Sequence, residues 1–569
     1  MWSTGRWRQD DSLAALELPD VTNIRDLRDE VSRRTGREVI LQPQEQAPSV
    51  CGACAVLEAV IYMFYDPRTS CLHQDQIIAH EFVHLFLGHH EARPLSALAP
   101  EDSSLRSHRS MIRRWRSEAR SSVSCSSASS YLVRPSIINA VITRDDDAAR
   151  QAAHSSDERR ARGEAGGVLD PLLITIKDSF ETAGLRTTSG AQELADHIPD
   201  QDADAVARLR HQGAVIMGKT NTPAYCQDLH TDNALFGPTL NPHDPARTVG
   251  GSSGGPAAAV AAHLTPADLG SDLAGSLRLP AHYCGVYGLR PTHGLVPARG
   301  HVPRPPGWLT SSDMVTPGPL ACHPRDLELL LTALTTPAPA EDTPWHVDLP
   351  TASKSIDELR IAIWAEGPNC PVDHETAQAL ITVEKALIAA GALVRHTSGP
   401  VGFTESTRLF EQLLHATGTA TTNDETAAAE LAATRQLQDE DPSPRAIFHR
   451  HRTQTHRSWL RASEERARLR SDWRRFFGKH DVLVTPAAPT PAIPAGSRML
   501  TVDGKERNFF DQTGWANLTS HIGLPSLVVP VTTTAQGLSI GIQIIGPPYA
   551  DRVLLGMADG LASRLCVSQ

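Results

Sequence analysis

Between Gly250 and Arg278 the chain reads GGSSGGPAAAVAAHLTPADLGSDLAGSLR, and no other stretch limits its fold so tightly. The run Ala257 to Ala262 carries almost no side-chain bulk, so a helix built from it can pack closely against a neighbour. Pro256 suits the first turn of that helix, where a missing N–H costs nothing. The glycines on both sides let backbone N–H groups point into one shared space and let another group approach closely. An acyl-transfer site needs a hydroxyl nucleophile and N–H donors for a developing oxyanion, and this stretch offers both. Taken alone, GGSSGG also fits a flexible loop. The pattern G-x-S-x-G over Gly251 to Gly255 would instead make Ser253 the nucleophile of a strand-to-helix elbow. That elbow needs a hydrophobic strand in front of it, and Asn241 to Thr248 (NPHDPART) is nothing of the kind. No Gly-Lys-Ser/Thr follows the glycines, which excludes a P-loop.

From about residue 137 onward, helical and strand patterns alternate. Helices are predicted at 139–162, 202–212, 256–263 and 374–390. Strands are predicted at 172–176, 214–217, 359–364 and 481–485. A hairpin is predicted from 526–531 and 538–545, with Gly537 in its turn. Such alternation argues for one large α/β domain over residues 137–569. Residues 96–136 are rich in Arg and then Ser, which reads as a linker. Residues 1–95 form a separate unit, with a strand-like run at Val39-Ile40-Leu41 and a helical pattern from Gln74 to His90.

Charge and cysteine content narrow the function. The chain of 569 residues holds 54 basic and 65 acidic residues, a formal net charge of −11. That balance does not suit a nucleic-acid backbone or an anionic membrane as partner. The nine cysteines show no paired spacing, which suits reduced thiols and a cytoplasmic setting. The first residues contain no apolar segment of a secretory leader, and the apolar run from Ala53 to Phe64 is too short to span a bilayer. Lysine is rare: only Lys177, Lys219, Lys354, Lys385, Lys479 and Lys505 occur. Lys177 ends the apolar run Leu172-Leu173-Ile174-Thr175-Ile176, the place of a lysine carried on a buried strand. Burial disfavours its ammonium form, and only a neutral amine can accept a proton.

The chain resembles the amidase signature family. The resemblance lies in the block from Gly250 to Thr292, in LLITIKDSFETAGLRTTSGA upstream, and in HDVLVTPAAPTPAIP and GLPSLVVPV…GLSIGIQIIGP downstream. It implies an α/β/α sandwich with a large mixed central sheet. It further implies a Ser–cis-Ser–Lys set in which Ser276 resembles the nucleophile, Ser252 the bridging serine and Lys177 the base. The N–H groups of Leu273, Ala274, Gly275 and Ser276 resemble the oxyanion hole. The family's Gly-Gly before the nucleophile is Ala274-Gly275 here, which is tolerated only where Ala274 keeps a negative φ. Asp272 and Arg278 read as an ion pair bracing the loop. The tract GLVPARGHVPRPPG after Thr292 looks more like free-standing amidases than like the tRNA-dependent amidotransferase component of the same superfamily.

His80-Glu81-Phe82-Val83-His84 is an H-E-x-x-H pattern. On a helix, His80 and His84 share one face and can hold a zinc ion, with Glu81 placed to activate its water. The text LHQDQIIAHEFVHLFLGHH resembles the ImmA/IrrE family, which implies a small, mainly α metallopeptidase-like domain and a third, acidic ligand further along. Glu91, Glu101, Asp102 and Glu118 are the nearby acids. Cys51-Gly52-Ala53-Cys54 has no second pair and reads as ordinary thiols.

The expectation is therefore a cofactor-independent amidohydrolase that cleaves a small carboxamide through a serine acyl-enzyme, with a homodimer as its expected assembly. The alternative is a zinc metallopeptidase or regulatory activity from residues 1–95.

Overall fold

Runs dominated by β-branched and aliphatic residues belong to strands covered on both faces. LITIK is such a run, and it forms a strand whose five residues are all buried. The computed structural model describes residues 32, 38–43, 52–56, 60–65 and 138–565, apart from 165, 303, 339–346, 351–353, 368, 439–440 and 442. It divides into two units: Met1–Arg134 with Asp147–Ala165, and Pro135–Asp146 with Gly166–Gln569.

In the first unit, strands Glu38–Pro43, Gly52–Val56 and Val60–Tyr65 form a three-stranded sheet. The last strand lies in its centre, parallel to the first and antiparallel to the second. The segment carrying His80, Glu81 and His84 lies outside the described residues, as do Glu91, Glu101, Asp102 and Glu118.

The second unit is built on one mixed sheet of eleven strands. In chain order these are β1 (Val141–Arg144), β2 (Leu173–Lys177), β3 (Val215–Thr220), β4 (Ala267–Asp272), β5 (Tyr287–Arg290) and β6 (Thr316–Ala321). The rest are β7 (Arg360–Ile363), β8 (Leu393–His396), β9 (Val482–Pro486), β10 (Ser526–Thr533) and β11 (Ser539–Ile545). The order across the sheet is β8-β7-β9-β11-β10-β5-β6-β4-β2-β3-β1. β7 is parallel to β8 and β9, and β2 is parallel to β3 and β4. The other neighbours are antiparallel.

Strand side chains alternate between faces. Leu527, Val529, Ile540, Ile542 and Ile544 join a core with helices Pro324–Thr335, His374–Ala389 and Asp551–Leu565. Val528 turns the other way, to a cluster with the small-residue helix α1 (Gly254–Ala261) and with α2 (Arg278–Cys284). Helices on both faces make the expected layered α/β fold. The helix expected at 139–162 starts later: Val141-Ile142-Thr143 forms an edge strand antiparallel to β3, and the helix is Asp146–Ala161. The β-branched run pairs with the open edge of the sheet, and the sheet contact outweighs the helical pattern.

Candidate active site

Two parallel strands end side by side and deliver most of the site. β2 pairs with β4 through Thr175↔Asp268 and Ile176↔Leu269, so Lys177 and Ser271 come together at the strand ends. Lys177 is 0% exposed, and burial pushes its ammonium down against the opposing pull of Cys226, Asp272 and Asp268. Its Nζ lies 2.7 Å from Ser252 Oγ, 3.1 Å from Ser253 Oγ and 3.0 Å from Ser271 Oγ. Burial raises Asp268, on the neighbouring strand, to about 7, although Thr175 and Thr220 donate to its Oδ2 at 2.5 and 2.9 Å.

The serine loop is held from several sides. The Gly251–Ser252 peptide bond is cis. Thr222 donates to the Ser252 carbonyl at 2.9 Å, and Thr231 donates to the Gly250 carbonyl at 2.9 Å. Gly255 lets α1 touch the chain after β3: a Cβ there would lie 2.4 Å from the backbone nitrogen of Asn221. Ser253 is wholly buried at the start of α1, and its hydroxyl donates to the Ser271 carbonyl at 3.1 Å. No strand precedes it, so the elbow with Ser253 as nucleophile does not form.

The loop carrying Ser276 is shaped by Asp272. Its carboxylate accepts the N–H of Gly275 at 3.1 Å and of Leu277 at 3.0 Å. Arg278 grips the same carboxylate through two nitrogens, and Arg290 donates to the Asp272 carbonyl at 2.6 Å. Burial alone would raise this carboxyl, but the two guanidiniums hold it well below the usual carboxylate range. Burial in turn lowers Arg290 to about 10.

Gly275 takes the positive φ of the turn, +92°, and Ala274 does not share it. The Ala274 departure therefore carries no backbone strain. Of the four N–H groups expected to form an oxyanion hole, that of Gly275 is committed to Asp272.

Ser276 is 7% exposed, and its carbonyl accepts the Ser253 N–H at 3.1 Å. The structure thus joins Lys177 to Ser252 directly and sets the backbone of Ser276 against Ser253. It does not close a hydrogen bond between Ser252 and Ser276. Leu273 and Ala274 pack against an aromatic cluster that includes Phe403, Phe410 and Trp515. Trp515 and Phe410 are buried in that core, whereas Phe510 and Trp308 are exposed.

Sequence reasoning passed over Ser271, His301 and Arg290. Ser271 sits inside the Gly/Ser block and His301 inside GLVPARGHVPRPPG, but neither pattern marks a partner. Among the described residues, no group of three or more His, Cys, Asp and Glu could hold a metal ion. No helix there is long and apolar enough to cross a membrane. Cys226, Cys284, Cys322 and Cys370 form no disulfide.

Comparison with known proteins adds an independent line. The profile of the Amidase family matches residues 130–555. One component of the glutamyl-tRNA(Gln) amidotransferase of Thermus thermophilus is 34% identical over 415 residues, spanning 68% of this chain and 83% of its own. The indoleacetamide hydrolase of Bradyrhizobium diazoefficiens is 30% identical over 436 residues, spanning 75% of this chain and 80% of its own. The solved crystal structure of an amidase superposes with a TM-score of 0.61 at 28% identity, covering 75% of this chain and 92% of that one.

Proposed function

This chain belongs to the amidase signature family, an enzyme family acting on C–N amide bonds, and we propose that it hydrolyses a small carboxamide to an acid and an amine or ammonia. The observation that carries this reading is the wholly buried Lys177 amine 2.7 Å from Ser252 Oγ. A neutral Lys177 takes the proton of Ser252, which takes that of Ser276 as its Oγ attacks the amide carbon. The oxyanion develops towards the N–H groups of Leu273, Ala274 and Ser276. The relay then runs backwards: Ser252 gives its proton to the leaving nitrogen, and the C–N bond breaks. Water, deprotonated through the same chain, cleaves the Ser276 ester and frees the acid. No cofactor enters any step.

A fluorophosphonate probe labels only an activated serine, so intact mass should show one adduct, lost in Ser276→Ala. An amide panel should give an acyl adduct on the same residue. Adduct retained in Ser276→Ala overturns the assignment.

A second reading is favoured by the relatives named as amidotransferase components: the ammonia released could pass to an acceptor held by a partner chain. Release of free ammonia by the isolated chain distinguishes hydrolysis from obligate transfer. The division into residues 1–95, 96–136 and 137–569, and a zinc site on His80 and His84 with Glu81 beside it, stand as proposals resting on sequence pattern. A homodimer and a cytoplasmic setting stand on the same footing.

A further inference from the structure

A neutral amine has two N–H bonds and one lone pair. Lys177 Nζ has three hydroxyl neighbours, so catalysis depends on which of them faces the lone pair. The Ser253 hydroxyl donates its hydrogen bond to the Ser271 carbonyl, so it can only accept from Lys177. The same question for Ser271 is settled by a residue that the relay does not contain.

His301 is 4% exposed. It is fixed by the segment that directly follows Lys177: Glu181 N–H donates to the Gly300 carbonyl at 2.9 Å and Val302 N–H to the Ser179 carbonyl at 2.8 Å. Its ring stands edge-on to Phe180, with centroids 4.7 Å apart. Nε2 lies 2.8 Å from Ser271 Oγ and 3.2 Å from Ser179 Oγ.

We propose that His301 is a positioning residue: its unprotonated Nε2 accepts a hydrogen bond from the Ser271 hydroxyl, so that Ser253 and Ser271 both accept from Lys177 and the amine's lone pair is left to Ser252. The shortest of the three Lys177 contacts, that to Ser252, is then the one made by the lone pair. Burial lowers His301, with the Lys177 charge acting in the same direction and Cys226 opposing, which favours the neutral ring this arrangement needs. Without His301, the Ser271 hydroxyl turns its proton to Lys177 and competes with Ser252 for the lone pair. This inference rests on the Ser276–Ser252–Lys177 reading.

The test is the rate of fluorophosphonate labelling in the full chain, which needs no knowledge of the substrate. His301→Ala should slow labelling by about tenfold to a hundredfold, a part of the roughly hundredfold to ten-thousandfold that a general base supplies. His301→Gln, which offers an amide oxygen near the Nε2 position, should recover to within about threefold of wild type. Ser271→Ala should itself cost only about threefold, and adding His301→Ala to it should change little, because the competing hydroxyl is gone. Equal His301→Ala losses in both Ser271 backgrounds, or no rescue by Gln, would overturn the proposal and leave His301 as packing for Phe180. Should His301→Ala not fold, His301→Leu, which fills the space without a hydrogen-bond acceptor, takes its place, and equal losses in both Ser271 backgrounds overturn the proposal equally. Label retained in Ser276→Ala would instead sink the underlying reading, and this one with it.

Discussion

Asp272 and Arg278 meet through two hydrogen bonds, Nε to Oδ2 at 2.9 Å and Nη2 to Oδ1 at 2.8 Å, and neither side chain is exposed. The same carboxylate holds the N–H groups of Gly275 and Leu277, so the pair sets the shape of the loop that presents Ser276. Removing one partner strands a buried charge, which typically costs about 3–5 kcal/mol. Asp272→Asn leaves Arg278 and Arg290 together without their counter-charge. Its thermal unfolding midpoint should fall clearly below wild type at neutral pH. The folded carboxyl lies below its unfolded value, so its contribution is present above the unfolded pKa and is lost as pH falls through the folded one. The gap between wild type and variant should therefore narrow in acid. Equal midpoints at neutral pH would show that the pair does not brace the loop.

Lys177→Ala removes the base and leaves the serines in place. Wild-type kcat/KM should rise with pH through the lowered Lys177 pKa and then level off, because only the neutral amine is competent. In the variant, hydroxide takes over and the rate climbs about tenfold per pH unit without that plateau. The loss is therefore largest at low pH. A variant with the wild-type profile shape would remove Lys177 from the relay.

Much of this was legible in the sequence where physics is local. The run before Lys177, apolar but for Thr175, marked its strand, and the alanine run marked the tightly packed α1. The 139–162 helix was overextended because a free sheet edge claimed Val141-Ile142-Thr143. The ion pair of Asp272 with Arg278 was readable because the two residues flank one loop, but Arg290 reaches the same carboxylate from another strand. Ser271 and His301 stayed unread for a like reason. Ser271 meets Lys177 only because β2 and β4 run parallel as neighbours, and His301 arrives from a loop that pairs with residues 179–181. Such contacts follow from tertiary neighbourhood, which no spacing along the chain encodes.

Gly275 is the position in the nucleophile loop where a side chain should do most harm. Its φ is +92°, and a Cβ there would lie 3.0 Å from Ala516 Cβ and 3.1 Å from Thr513 Cγ2. Strain of this kind costs about 1–3 kcal/mol. Gly275→Ala should relieve it by shifting the loop, so the oxyanion donors move and kcat falls more than KM rises. Ala274→Gly, at a position already free of such strain, should leave kcat within about twofold, since it relieves nothing. Similar kcat values in Gly275→Ala and wild type would show that the loop geometry is not what places the donors.

Cys226 lies beside the base without belonging to the relay. Its Sγ is 3.5 Å from Thr222 Oγ1 and 3.9 Å from the Val302 carbonyl, and its backbone adopts φ +60°. Burial raises the thiol, but the Lys177 charge and the bond to His301 outweigh that and bring it down to about 5. Thiolate and ammonium favour each other, so a thiolate on Cys226 raises the Lys177 pKa against the larger lowering by burial. The other groups facing Lys177, Asp272 and Asp268, pull in the same direction, while burial opposes all three. Cys226→Ala removes one of these pulls and should lower the Lys177 pKa further. The acid limb of kcat/KM should then move to lower pH with the plateau height kept within about threefold. A limb that stays in place, or moves to higher pH, would show that Cys226 is not coupled to the base.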